Sequence, residues 1–260
     1  MKVVLFDMDG TLTPARKEMP PNILSALTLL SSRHKLGIIS GSDYDYIAQQ
    51  CSEAMSTIEN IDIMPCNGTK LYKKDNGVYR IHHEANMRQK INDLAYQKIL
   101  KKLFVLQAEI MSKYPEMPYT GTFFHYRGSL LNWCPIGRSA DHHDRSYWKT
   151  WDKRFGIREE YHTMLRTFIK DQNFSESFDA DLTVALGGST SFDIYPTGWD
   201  KTYGLRHYEN HDVYFVGDKC EPGGNDYHIF KKLNKAGVTK AWQTSSLEET
   251  IQIIKNKLMT

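Results

Sequence analysis

Hydrophobic positions along the chain fall into two textures. Lys2 to Phe6 is apolar and β-rich, Pro20-Pro21 opens a helix carrying Ile23, Leu27 and Leu30, and Leu36 to Ile39 is apolar again. Strand, helix and strand in that order make a βαβ unit, which predicts a parallel sheet. A second helix is expected from about Asp43 to Cys51, with Tyr44, Ile47, Ala48 and Cys51 on one face. Asn67-Gly68 then marks a turn between short β-like segments.

Near Asn86 the texture changes. A long helical pattern through Met111 is followed by strand-like runs at Gly121 to Arg127 and Leu130 to Cys134, a polar helical region from about Asp141 to Asp171, and further runs at Leu182 to Leu186 and Ser191 to Tyr195. After Trp199 the α/β texture returns, with a strand at Val213 to Val216, a helix from about Asp226, a strand near Val238 and an amphipathic helix from Leu247. The pattern predicts a Rossmann-like α/β core built from residues 1–85 and 187–260, with an α+β domain inserted at 86–186.

Composition narrows the class. A chain of 260 residues has room for two cores, and 40% hydrophobic with 25% charged residues is the balance of a folded globular protein. The first apolar run is interrupted at once by Asp7 and Asp9, so it is neither a signal-peptide core nor a membrane span, and a cytoplasmic location is expected. A net charge of +2 gives no basis for a nucleic-acid partner. Cys51, Cys66, Cys134 and Cys220 lie far apart and show no zinc-ligand spacing, which makes them structural thiols.

Chemistry enters at Val3-Val4-Leu5-Phe6-Asp7-Met8-Asp9-Gly10-Thr11. Two carboxylates one residue apart stand at the carboxyl end of a strand, where open α/β sheets bind ligands. A turn alone needs no such pair. An aspartate attacks phosphorus to give an aspartyl-phosphate, the role expected of Asp7. Asp9 is placed to protonate the leaving oxygen and later to deprotonate the incoming hydroxyl.

A second strand end, Val216-Gly217-Asp218 through Asn225-Asp226, supplies further carboxylates. Together they form a hard oxygen site suited to Mg²⁺, with Asp218 as a ligand and Asp226 as a ligand or its support. Ser40 would end the second strand facing a phosphate, and Lys201 would neutralise the reacting phosphoryl group and restrain Asp7. Arg127 and Arg138 suit a second, unreacting phosphate, which guanidinium grips in a bidentate fork.

These residues resemble the eukaryotic-type phosphomannomutases of the haloacid dehalogenase superfamily. The resemblance spans nearly the whole chain. It is carried by Phe6-Asp7-Met8-Asp9-Gly10-Thr11-Leu12-Thr13, Gly41-Ser42-Asp43, Gly121-Thr122-Phe123, Leu131-Asn132, Pro135-Ile136-Gly137-Arg138-Ser139, Ser191-Phe192-Asp193, Gly198-Trp199-Asp200-Lys201 and Gly217-Asp218-Lys219 with Pro222 to Asp226. It implies that Asp7 is the nucleophile and Asp9 the acid/base. Magnesium would be held by Asp7, by Asp9 through its carbonyl, and by Asp218. The sugar phosphate would be held by Arg16, Arg127, Arg138, Arg145, Ser191 and Asp193.

Ser40, Cys66 and Trp133 depart from the family pattern, which has Gly, Glu and a smaller aliphatic residue there. Trp133 lies between Arg127 and Arg138 in sequence, so it is expected to bear on substrate shape. The resulting expectation is interconversion of hexose 6-phosphate and hexose 1-phosphate, mannose first and glucose second. A hexose 1,6-bisphosphate would prime Asp7, and a homodimer would form through the inserted domain. The alternatives are a sugar-phosphate phosphatase of the same superfamily and a non-catalytic protein that binds a phospho-ligand.

Overall fold

The computed structural model describes residues 2–172, 174 and 181–259. The chain begins β1 (Lys2–Phe6), α1 (Pro21–Ser31), β2 (Lys35–Ile39), α2 (Tyr44–Thr57), β3 (Ile61–Met64), β4 (Lys70–Asp75) and β5 (Val78–Glu84). Next come α3 (Met87–Ile91), α4 (Asp93–Lys113), β6 (Phe124–Tyr126), β7 (Leu131–Trp133), α5 (His142–Phe155), α6 (Ile157–Asp171), β8 (Leu182–Gly187) and β9 (Ser191–Pro196). The chain closes with β10 (Asp212–Gly217), α7 (Tyr227–Leu233), β11 (Ala241–Gln243) and α8 (Leu247–Ile253). Among the described residues no helix is long and apolar enough to cross a membrane.

Two compact units result, one of 1–84 with 198–260 and one of 85–197. The first holds a seven-stranded sheet in the order β11-β10-β1-β2-β3-β4-β5, parallel from β11 to β3. Alternate residues of β1 face opposite layers, as a strand's period of two requires. Val4 and Phe6 pack with Ile23, Leu27 and Leu30 of α1 and Ile47 and Ala54 of α2. Val3 and Leu5 pack with Phe215, Tyr208 and Ile229 on the other side. Each such side chain, fully buried, stabilises the fold by about 1.5–3 kcal/mol.

The second unit holds a four-stranded antiparallel sheet in the order β6-β7-β9-β8. This corrects the expected boundary after residue 186. The β8–β9 hairpin pairs Leu182 with Pro196 through Gly187 with Ser191, so residues 187–197 stay with the inserted unit.

Local departures have local causes. The helical pattern from Asn86 breaks at Asn92 (φ 61°), whose side chain accepts from Ala95 N and starts α4 afresh. The region from Asp141 to Asp171 is two helices, broken at Gly156 (φ 64°). Asn67-Gly68 belongs to a single 3-10 turn, Cys66–Gly68. The tight hairpin instead uses Asn76-Gly77, both at positive φ, between the paired residues Asp75 and Val78. The last strand lies at Ala241–Gln243 rather than near Val238, which is 47% exposed.

Candidate active site

The carboxyl end of β1 is a topological switch point. From β1 the chain steps one way to β2 and β3, and the later β10 adds on β1's other edge. Open parallel sheets bind ligands in the crevice such a reversal leaves. Asp7 N continues the ladder by donating to Val216 O at 2.9 Å, and Leu12 N and Thr13 N fold back onto Met8 O at 2.9 and 3.0 Å. Gly10 sits at φ 88°, and a Cβ there would stand 2.5 Å from Asp218 Oδ2. The missing side chain is what lets the β10 loop bring Asp218 against the β1 loop.

Asp7, Asp218 and Asp226 place carboxylate oxygens within 4.8 Å of one another. Asp7 and Asp226 are buried, and Lys201 Nζ is ion-paired to both. Asp226 Oδ2 also accepts from Lys219 N at 3.2 Å. Burial pushes the Asp7 carboxyl up to about 8, reinforced by Asp226 and Asp218 and opposed by Lys201. Burial likewise raises Asp218. Burial acts to lower Lys201, but Asp226 and Asp7 outweigh it and hold the ammonium above its ordinary value.

Two of the three carboxylates share one buried ammonium, Asp218 Oδ2 has only the half-exposed Lys219 Nζ at 3.8 Å, and Asp218 Oδ1 is buried without a hydrogen-bond partner. An orphaned acceptor in an all-oxygen, net-negative donor set fits a hard divalent cation. Asp9 lies beside this group, not in it. Its half-buried carboxylate accepts from Arg16 N at 3.3 Å, and burial raises its pKa.

Lys201 is delivered by the 3-10 segment Lys201–Tyr208, which Asp200 caps by accepting from Thr202 N at 2.8 Å. That segment docks through two glycines, since a Cβ on Gly68 would meet Gly204 Cα at 2.6 Å. Asn67 Nδ2 donates to Trp199 O at 3.3 Å, and His207 Nε2 donates to Gly68 O at 2.7 Å. Ser40 follows β2 and is buried; its hydroxyl accepts from Ser42 N at 3.1 Å. Arg16 is exposed, at φ 63°.

The second unit holds the other expected residues, Ser191 and Asp193 on its sheet, Arg127 and Arg138 in loops and Arg145 on α5. Asn132 pairs with Asp193 across β7 and β9, and its Nδ2 donates to Asp193 Oδ1 at 2.7 Å. Ser191 donates to Gly187 O at 2.8 Å, and a Cβ on Gly187 would collide with both Ser191 and Asp193. Arg127 Nε donates to His125 Nδ1 at 3.4 Å. Arg145 lies under the 138–140 loop, donating to Ala140 O at 2.9 Å, Arg138 O at 3.2 Å and Thr190 Oγ1 at 2.7 Å.

Trp133 corrects an expectation. It is fully buried on the opposite face, stacked on Phe192 at 4.7 Å with its Nε1 donating to Gln107 Oε1 at 2.7 Å. Alternation along β7 turns Trp133 into the core and Asn132 to the polar face, so the indole shapes packing rather than the ligand surface. Asn132 and Gly187 drew no separate role from the sequence, although the cross-strand register that sets Asn132 against Asp193 and Gly187 against Ser191 follows from the alternation in β7 and β9.

Residues 23–260 match the family profile described as eukaryotic phosphomannomutase. Phosphomannomutase 1 of Mus musculus is 35% identical over 239 residues, covering 90% of this chain and 84% of that protein. The phosphomannomutase of Saccharomyces cerevisiae is 32% identical over 257 residues, covering 97% and 92%. Among solved structures, an N-terminally truncated IMP-nucleotidase of Plasmodium falciparum superposes with a TM-score of 0.66 at 12% identity, covering 98% of this chain and 69% of that one. A trehalose-6-phosphate phosphatase of Aspergillus fumigatus gives 0.53 at 15% identity, covering 100% and 93%. These two likenesses speak to the fold, an α/β core of the haloacid dehalogenase type. The match over 23–260 and the identities above 30% assign the rest: this chain belongs to the eukaryotic phosphomannomutase family.

Proposed function

We propose that the protein interconverts mannose 6-phosphate and mannose 1-phosphate through an aspartyl-phosphate on Asp7. The observation that carries this reading is the buried Asp7–Lys201 pair, set among Asp218 and Asp226 at the switch point of a phosphomannomutase-family chain. A hexose 1,6-bisphosphate is the proposed activator. An Asp7 oxygen attacks its phosphorus as the bond from phosphorus to the sugar oxygen breaks, and Asp9 gives that oxygen a proton. A sugar monophosphate then presents its free hydroxyl, Asp9 takes that proton, and the phosphoryl group passes from Asp7 to give the bisphosphate, which turns end for end and returns its other phosphate to Asp7 while Asp9 protonates the oxygen it leaves.

Lys201 keeps Asp7 in place and offsets charge on the phosphoryl oxygens. Mg²⁺ would be held by Asp7, Asp218, the Asp9 carbonyl and, in support, Asp226. When bound, it offsets the repulsion between ionised Asp7 and a phosphate dianion. In the second unit, Arg127, Arg138, Ser191 and Asp193 are the proposed grip on the sugar and its unreacting phosphate, with Arg145 bracing Arg138, and Arg16 contributing from the β1 loop.

Exposed Leu94, Phe104 and Val105 on α4 support a homodimer through this unit. Four buried cysteine thiols support a reducing, cytoplasmic location.

The test is ³¹P NMR of mannose 1-phosphate with Mg²⁺ and catalytic bisphosphate. Conversion to the 6-phosphate is expected; release of inorganic phosphate alone indicates a phosphatase, and unchanged substrate a binding protein. Asp7→Asn, nearly isosteric, should lose several decades of rate, each worth about 1.4 kcal/mol of barrier.

A further inference from the structure

Helix α2 carries a glutamine inside its apolar stripe. Gln50 is 3% exposed and stands beside Ile47, Cys51 and Ala54, the residues by which α2 packs on the sheet. A buried amide is costly unless both of its ends find partners. The main chain departs from helical geometry at Cys51 (φ −117°, ψ 19°), and Gln50 O accepts from Met19 N at 2.8 Å. The side-chain Oε1 accepts from Thr13 Oγ1 at 2.9 Å. Gln50 thus fastens the loop beyond the carboxylate pair at Thr13 and at Met19, and Thr13 is itself bridged to Asp9.

The other end of the amide is unspent. Gln50 Nε2 is buried and has no hydrogen bond of ordinary length among the described residues. Thr13, which the amide holds, is bridged to Asp9, and the Gln50 side chain is among the groups that oppose the burial-driven rise of the Asp9 carboxyl, after Arg16 N and Lys219. With Oε1 occupied by Thr13, the NH₂ end is the one left to serve Asp9; the reversed amide would set an oxygen against the carboxylate.

We infer that Gln50 is the positioning residue for Asp9, its Nε2 supplying the hydrogen bond that orients the carboxyl toward the sugar oxygen. The inference rests on the acid/base role proposed for Asp9. Hydrogen bonds of this kind are long in the free enzyme and tighten when the reacting oxygen is present. A donor held beside its carboxylate, with its other end locked, is the arrangement that tightening requires.

Two phosphoryl donors separate positioning from packing. When a hexose bisphosphate phosphorylates Asp7, the departing alkoxide needs the Asp9 proton. When acetyl phosphate does so, acetate leaves as a stable anion and needs none. The experiment uses the full chain with Mg²⁺ and compares wild type, Asp9→Asn, Gln50→Leu and Thr13→Val. It measures turnover of mannose 1-phosphate with catalytic bisphosphate, and Asp7 labelling by acetyl phosphate. Gln50→Leu is expected to lower kcat on the sugar phosphate about tenfold or more, with KM and acetyl phosphate labelling changed by less than about threefold. Thr13→Val, which frees the amide, should move the same way by less. Equal slowing of both donors by Gln50→Leu, while Asp9→Asn slows only the sugar donor, makes Gln50 a packing residue and overturns the inference. Equal slowing of both donors by Asp9→Asn removes the acid/base reading itself. If Gln50→Leu does not fold, Gln50→Met and Thr13→Val carry the same comparison.

Discussion

Asp7 and Lys201 are ion-paired across 194 residues of sequence, and the same ammonium also bonds Asp226. Replacing Lys201 by Met leaves two buried carboxylates without their cation. Breaking a buried pair in this way costs about 3–5 kcal/mol. Urea denaturation of the metal-free protein should register a loss of that size, and Mg²⁺ should recover part of it. An unchanged midpoint would show that Asp7 and Asp226 do not depend on Lys201.

Asp218 gives the metal site a readout separate from turnover. In the wild type, Mg²⁺ should raise the thermal midpoint by binding the folded state alone. Asp218→Asn should weaken Mg²⁺ binding about tenfold or more, equivalent to at least about 1.4 kcal/mol, and shrink that shift. An equal shift in the variant would remove Asp218 from the ligand set.

Arg138 and Arg145 should fail differently. Arg138→Ala removes hydrogen bonds to a charged group worth roughly 1.5–3 kcal/mol, weakening sugar-phosphate binding while sparing Asp7 labelling by acetyl phosphate and the thermal midpoint. Arg145 ties Arg138 O, Ala140 O and Thr190 Oγ1 together, so Arg145→Ala should lower both binding and the thermal midpoint. Calorimetry and titration of both variants check this, and a wild-type midpoint for Arg145→Ala would contradict it.

His207 contributes a pH dependence of defined sign. Burial lowers its pKa below the ordinary 6.5, with the Gly68 carbonyl opposing and His83, Arg206 and Lys73 reinforcing. The unfolded chain therefore binds this proton first. Stability owed to His207 is full above about pH 6.5 and lost as the pH falls toward the lowered folded value. The gap in stability between wild type and His207→Phe should be widest near pH 8 and narrow on acidification, as followed by denaturation at several pH values. A gap that widens toward acid would reverse the assignment.

Much of this was legible in advance because local rules wrote it. β1 is Lys2–Phe6 as its apolar run predicts, and the acidic strand ends pointed to Asp7, Asp218 and Asp226, which the structure brings together. What the sequence hid depends on partners far along the chain. No local pattern says that Gly204 must be bare because Gly68 lies against it, or that Trp133 stacks on Phe192 and bonds Gln107 in the core. The boundary after residue 186 fails for a similar reason: β9 reads as an ordinary strand, and only its pairing with β7 and β8 assigns it to the inserted unit.

The order of the seven-stranded sheet also sets a timetable for biosynthesis. β1, made first, is flanked by β2 on one side, but its other neighbour is β10, encoded some two hundred residues later. A nascent chain that has released only residues 1–84 presents an open β1 edge and no lysine for Asp7. Unpaired edges of this kind recruit other chains. Asp7 therefore meets its ammonium only after residue 201 has been made. Chains truncated before Asp212 should accumulate as aggregates rather than as slow enzymes.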